Sequence, residues 1–240
     1  MMSSPGIERY VGCRPPPTYD WYTGALSRST FLPSSTISTP HAPREHDLGY
    51  THTLLFATHS TRILLARKLR GFARDTHNGI GGKLFSEETA LQCILRETRE
   101  EIVLTLSSDN VRFAGNVSID VDRGEKVRIA LFTVELDAEQ ADRVQGSDEV
   151  EPIWVETKDV LEGRWAGAMR PEHRIYLAAL LHCAPKRREE GWEGPLIDVT
   201  VNFDAEPEGE DLEQGERPEN HRTVRQWSLN IFPQPITHTS

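Results

Sequence analysis

Glu97, Glu100 and Glu101 stand at i, i+3 and i+4, directly after or close behind Arg96, in the run GKLFSEETALQCILRETREEIVL from Gly82 to Leu104. At roughly 100° of helix per residue these carboxylates share one face. Like charges at such spacings repel by a few tenths of a kcal/mol per pair, and Arg96 and Arg99 supply only part of the compensation. A divalent cation would supply the rest. Mg²⁺ takes oxygen ligands, keeps several waters, and is usually held by a few carboxylates together with substrate phosphate oxygens. The chemistry such a site serves is cleavage of a phosphoanhydride. On composition alone, a solvated acidic helix face is the alternative.

The carboxylates need a helix with a core side, and the sequence supplies one. Leu91, Leu95, Thr98 and Ile102 fall in a narrow stripe away from the acids. Thr89 with Gln92 three residues on has the form of a capping box, so the helix is expected over 90–102. Glu87 and Glu88 lie where the positive helix end favours acids. Upstream, THTLLFA (51–57) and RILLARK (62–68) are β-rich runs around a polar turn, as a hairpin needs. Downstream, the runs beginning at Val111 and Lys126 flank the turn DRGEK, and EPIWVE follows from Glu151. An apolar pattern at Ile175, Leu177, Ala178, Leu180 and Leu181 marks a second helix. Two alternating runs, 196–203 and 223–232, would make a last hairpin. Strands, helix, strands, helix and strands imply an α/β fold with a mixed sheet between helices.

Read as G-x5-E-x7-R-E-x-x-E-E, the box uses Gly82, Glu88, Arg96, Glu97, Glu100 and Glu101, a coincidence expected in roughly one such chain in 10⁵. The chain resembles the Nudix hydrolase family, and the resemblance implies the Nudix α/β/α sandwich over 48–232. Thr98 stands where the family has an aliphatic residue. Val103 replaces the glycine that ends the family's helix; a β-branched residue resists the left-handed conformation, so the helix is expected to exit differently and shift Glu101. The run RGFARDTHNGIGGK from Arg70 to Lys83 is similar to the oxidised purine nucleoside triphosphate hydrolases, the 8-oxo-dGTPase branch of Nudix. Lys68, Arg70, Gly71, Phe72, Asn78, Gly79, Gly81, Gly82 and Lys83 match, while His77 and Ile80 replace aromatics. QGSDEVEPIWV resembles a further family segment and puts Glu149 at an additional metal-ligand position. Where the branch reads W-P-D-D, with a stacking Trp and two acids for the purine edge, this chain has Arg170, Pro171, Glu172 and His173. Trp165 is a substitute stacking surface or, with more weight, a packed side chain.

What the resemblance implies is specific. Mg²⁺, or Mn²⁺, would be held by Glu97, Glu100, Glu101, Glu149 and the Gly81 carbonyl. Glu101 or Glu100 would act as base, with Arg96 and Glu88 orienting the acids through ion pairs. Thr53, Lys68, Phe72 and Asn78 would line the nucleotide pocket, joined by Arg170, Glu172 and His173. The implied reaction turns a nucleoside triphosphate, such as 8-oxo-dGTP or 2-hydroxy-dATP, into monophosphate and pyrophosphate, which cleans the nucleotide pool and protects DNA. A Nudix hydrolase of another diphosphate, or an inactive Nudix module that binds a nucleotide, are the alternatives.

The rest of the chain frames this domain. Residues 1–47 are rich in Pro, Ser and Thr, and 204–220 carry eight acids and one Arg; both are expected to be disordered, and 233–240 is a tail beyond the domain. Without the acidic insertion the net charge moves from −10 to about −3, so the acidity says little about partners and speaks weakly against a nucleic acid polymer. No stretch approaches the roughly 20 apolar residues of a membrane span. Arg9, Arg14 and Arg28 among hydroxyls are features of a transit peptide, but Glu8, Asp20 and the prolines oppose an amphipathic helix. Cys13, Cys93 and Cys183 lack metal-type spacing, which fits a reduced intracellular compartment, cytoplasmic before nuclear or mitochondrial. A monomer is expected.

Overall fold

A computed structural model describes residues 8–13, 42–45, 49–71, 73–121, 125–183, 195–203 and 223–232. The elements in chain order are strands β1 (Glu8–Gly12), β2 (His52–His59), β3 (Arg62–Lys68) and β4 (His77–Asn78), helix α1 (Ala90–Ile102), strands β5 (Arg112–Val121) and β6 (Glu125–Glu135), helix α2 (Ala138–Asp142), strand β7 (Val150–Glu156), helices α3 (Thr157–Leu161) and α4 (His173–Cys183), and strands β8 (Leu196–Phe203) and β9 (Val224–Phe232). The strands form one mixed sheet in the order β1-β9-β8-β5-β6-β2-β3-β4, with β7 on β3. The β2–β6 and β5–β8 pairs are parallel. The expected hairpins β5–β6 and β8–β9 are antiparallel neighbours.

Side-chain alternation sorts the core into two layers. Leu54 and Phe56 of β2 and Ile63 and Leu65 of β3 face a cluster with Ile175, Tyr176, Leu177, Ala179 and Leu180 of α4. Their neighbours Leu55, Ala57, Leu64 and Ala66 face a second cluster with Ala90, Ile94 and Ile102 of α1. Nearly unbroken apolar runs on β2 and β3 are what a strand buried on both faces requires. The result is the expected α/β/α sandwich.

β2 and β3 pair only beside their turn, through Thr58 with Ile63 and His59 with Arg62. Beyond it they diverge, and the chain from His77 to Lys83 fills the wedge. Asn78 and His77 pair with Ala66 and Arg67 of β3, while Ile80 and Lys83 bridge to Leu55 and His52 of β2. The glycine-rich loop is thereby built into the sheet, not hung from it.

Three expectations need correction. Glu8–Gly12, placed in a disordered tail, is a strand paired with β9; Tyr10 opposite Leu229 buries its ring in the α4-side core, a gain that the Pro/Ser/Thr-rich surroundings conceal. On α1 the buried arc is Ala90, Cys93, Ile94, Glu97, Thr98, Glu101 and Ile102, whereas Leu91 and Leu95 are half-buried, because the helix packs on the glycine loop as well as the sheet. Val103 does take the left-handed conformation, at φ 56° and ψ 28°. Its side chain stays in solvent, 51 % exposed, while the turn sends Leu104 into the core and the Leu104 N–H to the Thr98 carbonyl at 3.2 Å. Residues 204–220 and 233–240 lie outside the described residues.

Candidate active site

Thr89 caps α1 as the spacing predicts: its hydroxyl accepts the Gln92 N–H at 3.2 Å and its own N–H donates to Gln92 Oε1 at 2.9 Å. With the helix start fixed, the carboxylates one turn apart meet successive residues of the wedge. Glu97 lies against Gly82, where any Cβ would sit 2.3 Å from Glu97 Oε1. Glu101 Oε2 accepts the Gly81 N–H at 3.0 Å. Gly81 holds φ 150°, and a Cβ there would meet the Thr53 carbonyl oxygen at 2.2 Å, so this position tolerates no side chain, whereas one at Gly82 would have to displace the Glu97 carboxylate.

Arg96 organises the remaining acids. Its Nε and Nη2 donate to the two oxygens of Glu88 at 2.7 and 3.0 Å, and its Nη1 donates to Glu97 at 2.8 Å and Glu100 at 2.9 Å. A further bond reaches the Lys83 carbonyl at 3.2 Å. Glu88 in turn accepts the Phe85 N–H at 3.0 Å. The Phe85 ring, 63 % exposed, lies 4.1 Å from the guanidinium and covers it from water. A planar fork with five donors suits this task; an ammonium does not.

The electrostatics follow from burial. Glu101 is pushed up to about 7, first by loss of water, partly countered by the Gly81 N–H and reinforced by Glu97 and Glu149 nearby. Glu97 is also raised by burial, against the pull of Arg96. Glu88 is held below the usual carboxylate range by Arg96, whose own pKa rises in return. Burial pushes the Cys93 thiol up to about 11, consistent with packing and not reactivity; its sulfur lies 3.3 Å from the Thr53 hydroxyl.

The expected ligand set is brought together only in part. Glu149 sits near enough to Glu97 and Glu101 to raise both, but it is paired with Arg70, which also holds Asp148 at 2.9 Å. Glu100 is on the outer side of the box with its side chain 55 % exposed. Among the described residues no three His, Cys, Asp or Glu side chains converge as metal ligands; Glu97 pairs with Arg96, Glu149 with Arg70, and Glu101 with the Gly81 N–H. The donor set itself suits a hard divalent cation: carboxylate oxygens, two of them buried with charges that burial and one another oppose.

The nucleotide-side residues divide differently. Lys68 acts electrostatically on Glu101, lowering it, and so faces the box. Thr53 is buried, with its hydroxyl turned to Cys93 beneath the loop. Phe72 lies outside the described residues. Arg170, expected in the nucleotide pocket, is buried and bonded through Nε to Glu172 at 2.5 Å. His173 is buried beside Phe56 and Tyr176, with Nε2 2.7 Å from Asn78 Oδ1. Trp165 packs at the edge of the α4-side core, 5.1 Å edge-on from His77. Sequence reasoning missed Phe85 as the cover of Arg96 and Arg70 as the partner of Glu149. Neither had a signal: Phe85 is one of several apolar residues in the box, and the Arg70–Glu149 pair spans 79 residues.

A sheet between helices, with a glycine loop wedged against an Arg-organised row of glutamates, defines a Nudix-type hydrolase site. The NUDIX domain model matches residues 51–180, more than half of the chain, and the protein belongs to that family. Its curated relatives include the oxidized purine nucleoside triphosphate hydrolases of Danio rerio, 34% identical over 107 residues (42% of this chain, 63% of the relative), and Mus musculus, 32% over 114 residues (45% and 67%). The alignment thus spans less than two thirds of the fish protein. Among solved structures, a MutT protein from Bacillus halodurans is similar at a TM-score of 0.46 and 21% identity, covering 63% of this chain and 88% of that one. MutT from Methanosarcina mazei Go1 gives 0.45 and 19%, with 60% and 97% covered. The family assignment rests on the domain match.

Proposed function

We propose that this protein is a Mg²⁺-dependent pyrophosphohydrolase of purine nucleoside triphosphates, with oxidised purines such as 8-oxo-dGTP as preferred substrates and monophosphate and pyrophosphate as products. The observation that carries the reading is the Arg96 network: one guanidinium holds Glu88, Glu97 and Glu100, while Glu97 and Glu101 lie against Gly82 and Gly81 of the glycine loop. The names of the curated relatives support the substrate class.

Glu97, Glu100, Glu101, Glu149 and the Gly81 carbonyl would hold Mg²⁺, with Mn²⁺ as a substitute. Bound there, the cation would neutralise charge on the phosphate oxygens and lower the cost of making a water nucleophilic. Glu101 is the base we favour between the two box candidates: Glu100 is tied to Arg96, whereas Glu101 accepts the Gly81 N–H, pairs with no cation among the described residues, and is screened from bulk water. Arg96 keeps Glu97 and Glu100 from rotating away, and Glu88 keeps Arg96 in place. Lys68 offers a positive charge beside the box for a phosphate. Asn78 and Glu172 present polar groups for the base. The activity would serve nucleotide-pool cleaning, acting on free nucleotides as a monomer with no nucleic acid polymer or membrane required. Among the described residues no helix is long and apolar enough to cross a membrane.

The test is a panel of 8-oxo-dGTP, 2-hydroxy-dATP, dGTP, ADP-ribose and a diadenosine polyphosphate, incubated with purified protein and Mg²⁺ and resolved by chromatography. Monophosphate and pyrophosphate preferentially from the oxidised purines is the expected result. Preference for ADP-ribose or the dinucleotide would keep the site and overturn the substrate; no product from any of them, with nucleotide bound, would make this a binding module.

A further inference from the structure

Arg70, just beyond the end of β3, has both arms of its guanidinium on acids of one turn: Nη1 lies 2.9 Å from Asp148, and Nη2 pairs with Glu149. The backbone of Glu149 is pinned on both sides of this contact. Its carbonyl accepts the Leu69 N–H at 2.8 Å, and its N–H donates to Ser147 Oγ at 3.2 Å. The next residue, Val150, is buried and stands opposite Lys68 in the β3–β7 ladder, and its carbonyl closes the turn by accepting the Ser147 N–H at 3.1 Å. Rotation of the side chain is the freedom left to Glu149.

That rotation has two ends. The Glu149 charge acts on Glu97 and Glu101 and raises both, so turning the carboxylate from Arg70 towards them gathers three acids at the cost of like-charge repulsion, which a divalent cation would offset. At the other end Arg70 supplies the compensation instead. Its side chain is 56 % exposed, within reach of a solute. It stands two residues beyond Lys68, whose charge already reaches Glu101. A planar fork of donors in that place suits the oxygens of a phosphate as well as those of a carboxylate.

We infer that Arg70 is a latch on Glu149: in the metal-free protein it holds this carboxylate out of the cation's ligand set, and a polyphosphate that takes the guanidinium releases it. Substrate binding thereby completes the metal site, and by linkage the cation favours the polyphosphate to the same degree. Arg70 is a positioning residue, acting on the cation through Glu149. An ion pair this exposed biases the carboxylate by only a few-fold, which lets a polyanion open it. The inference rests on reading Glu149 as a ligand of Mg²⁺, and goes further in tying its recruitment to the phosphates.

The experiment measures Mn²⁺ binding to the full chain without nucleotide, by electron paramagnetic resonance of the free ion, in wild type, Arg70→Gln, Glu149→Gln and the double variant. Arg70→Gln should bind Mn²⁺ about three- to fivefold tighter, the size of an exposed ion pair. The gain should vanish on the Glu149→Gln background, because the latch acts through that side chain, whereas mere removal of a nearby positive charge would help the cation equally in both backgrounds. In chelator, calorimetry with tripolyphosphate should show about fivefold weaker binding to Arg70→Gln than to the wild type. Mn²⁺ binding unchanged or weakened by Arg70→Gln, an equal gain with and without Glu149, or tripolyphosphate binding indifferent to Arg70 would overturn the latch. If Glu149→Gln leaves Mn²⁺ affinity untouched on the Arg70→Gln background, the reading of Glu149 as a ligand falls with it. If Glu149→Gln weakens Mn²⁺ there but Arg70→Gln brings no gain, that reading stands and the latch alone is overturned.

Discussion

The Glu101 carboxylate accepts its hydrogen bond from the backbone N–H of Gly81, at 3.0 Å, across an interval of 20 residues. One contact thus ties the helix that carries the acids to the loop wedged between β2 and β3, and among the described residues it leaves a buried carboxylate with a single neutral donor. Glu101→Gln keeps an acceptor for Gly81 and removes the charge. Its kcat is expected to fall at least about 100-fold, as for loss of a general base, with the melting temperature equal to or above that of the wild type in chelator. Wild-type turnover in pyrophosphate release would discard the proposed role.

The raised pKa of Glu101, about 7, makes stability depend on pH in a defined sense. A carboxylate whose folded value lies above its unfolded value binds more protons when folded, so its contribution to stability is present below the unfolded value, near 4.5, and is lost as pH rises through about 7. Wild type minus Glu101→Gln, compared by denaturation in chelator at successive pH values, should show a deficit that grows over this interval by roughly 2–3 kcal/mol and then levels.

Mg²⁺ should reverse that deficit. A cation that binds the folded chain raises the melting temperature by mass action, and it does so more where the carboxylates are ionised. The shift on adding Mg²⁺ is expected to be larger at pH 8 than at pH 5.5 in differential scanning calorimetry, and to shrink in Glu97→Gln and Glu101→Gln. A shift independent of both acids would place the cation elsewhere.

Arg96→Lys keeps the charge and loses the fork. Since one guanidinium serves Glu88, Glu97 and Glu100, the lysine variant should lose most activity with little change in KM, and stability should drop by about 2–4 kcal/mol as half-buried acids lose partners. Steady-state kinetics and urea unfolding read the two effects separately.

Val103→Gly should stabilise. The left-handed conformation costs a non-glycine residue about 1–2 kcal/mol, part of which the greater freedom of glycine in the unfolded chain cancels. With the valine side chain largely in solvent, a net gain of about 0.5–1 kcal/mol in urea unfolding is expected. Tyr10→Ala should do the reverse, costing about 3 kcal/mol by emptying a site in the α4-side core, which would not occur if the first residues were unstructured.

Much was readable from the chain itself. Helix α1, its capping pair Thr89 and Gln92, the hairpins and the two-layer core follow from local propensity and periodicity, and the fixed spacing of Gly82, Glu88, Arg96, Glu97, Glu100 and Glu101 points to phosphate chemistry because a helix converts spacing into a shared face. Tertiary structure decided the rest. That Glu97 and Glu101 lie on the buried side depends on the wedge between β2 and β3, which no periodicity reports. Val103 accepts a strained conformation because Leu104 is drawn into the core, and β1 forms because Tyr10 finds one. Arg70 with Glu149 and His173 with Asn78 pair across 79 and 95 residues. Such polar pairs set the charge and the hydrogen-bond direction of each site group, and they arise from burial and proximity in the folded chain, where sequence distance carries no information.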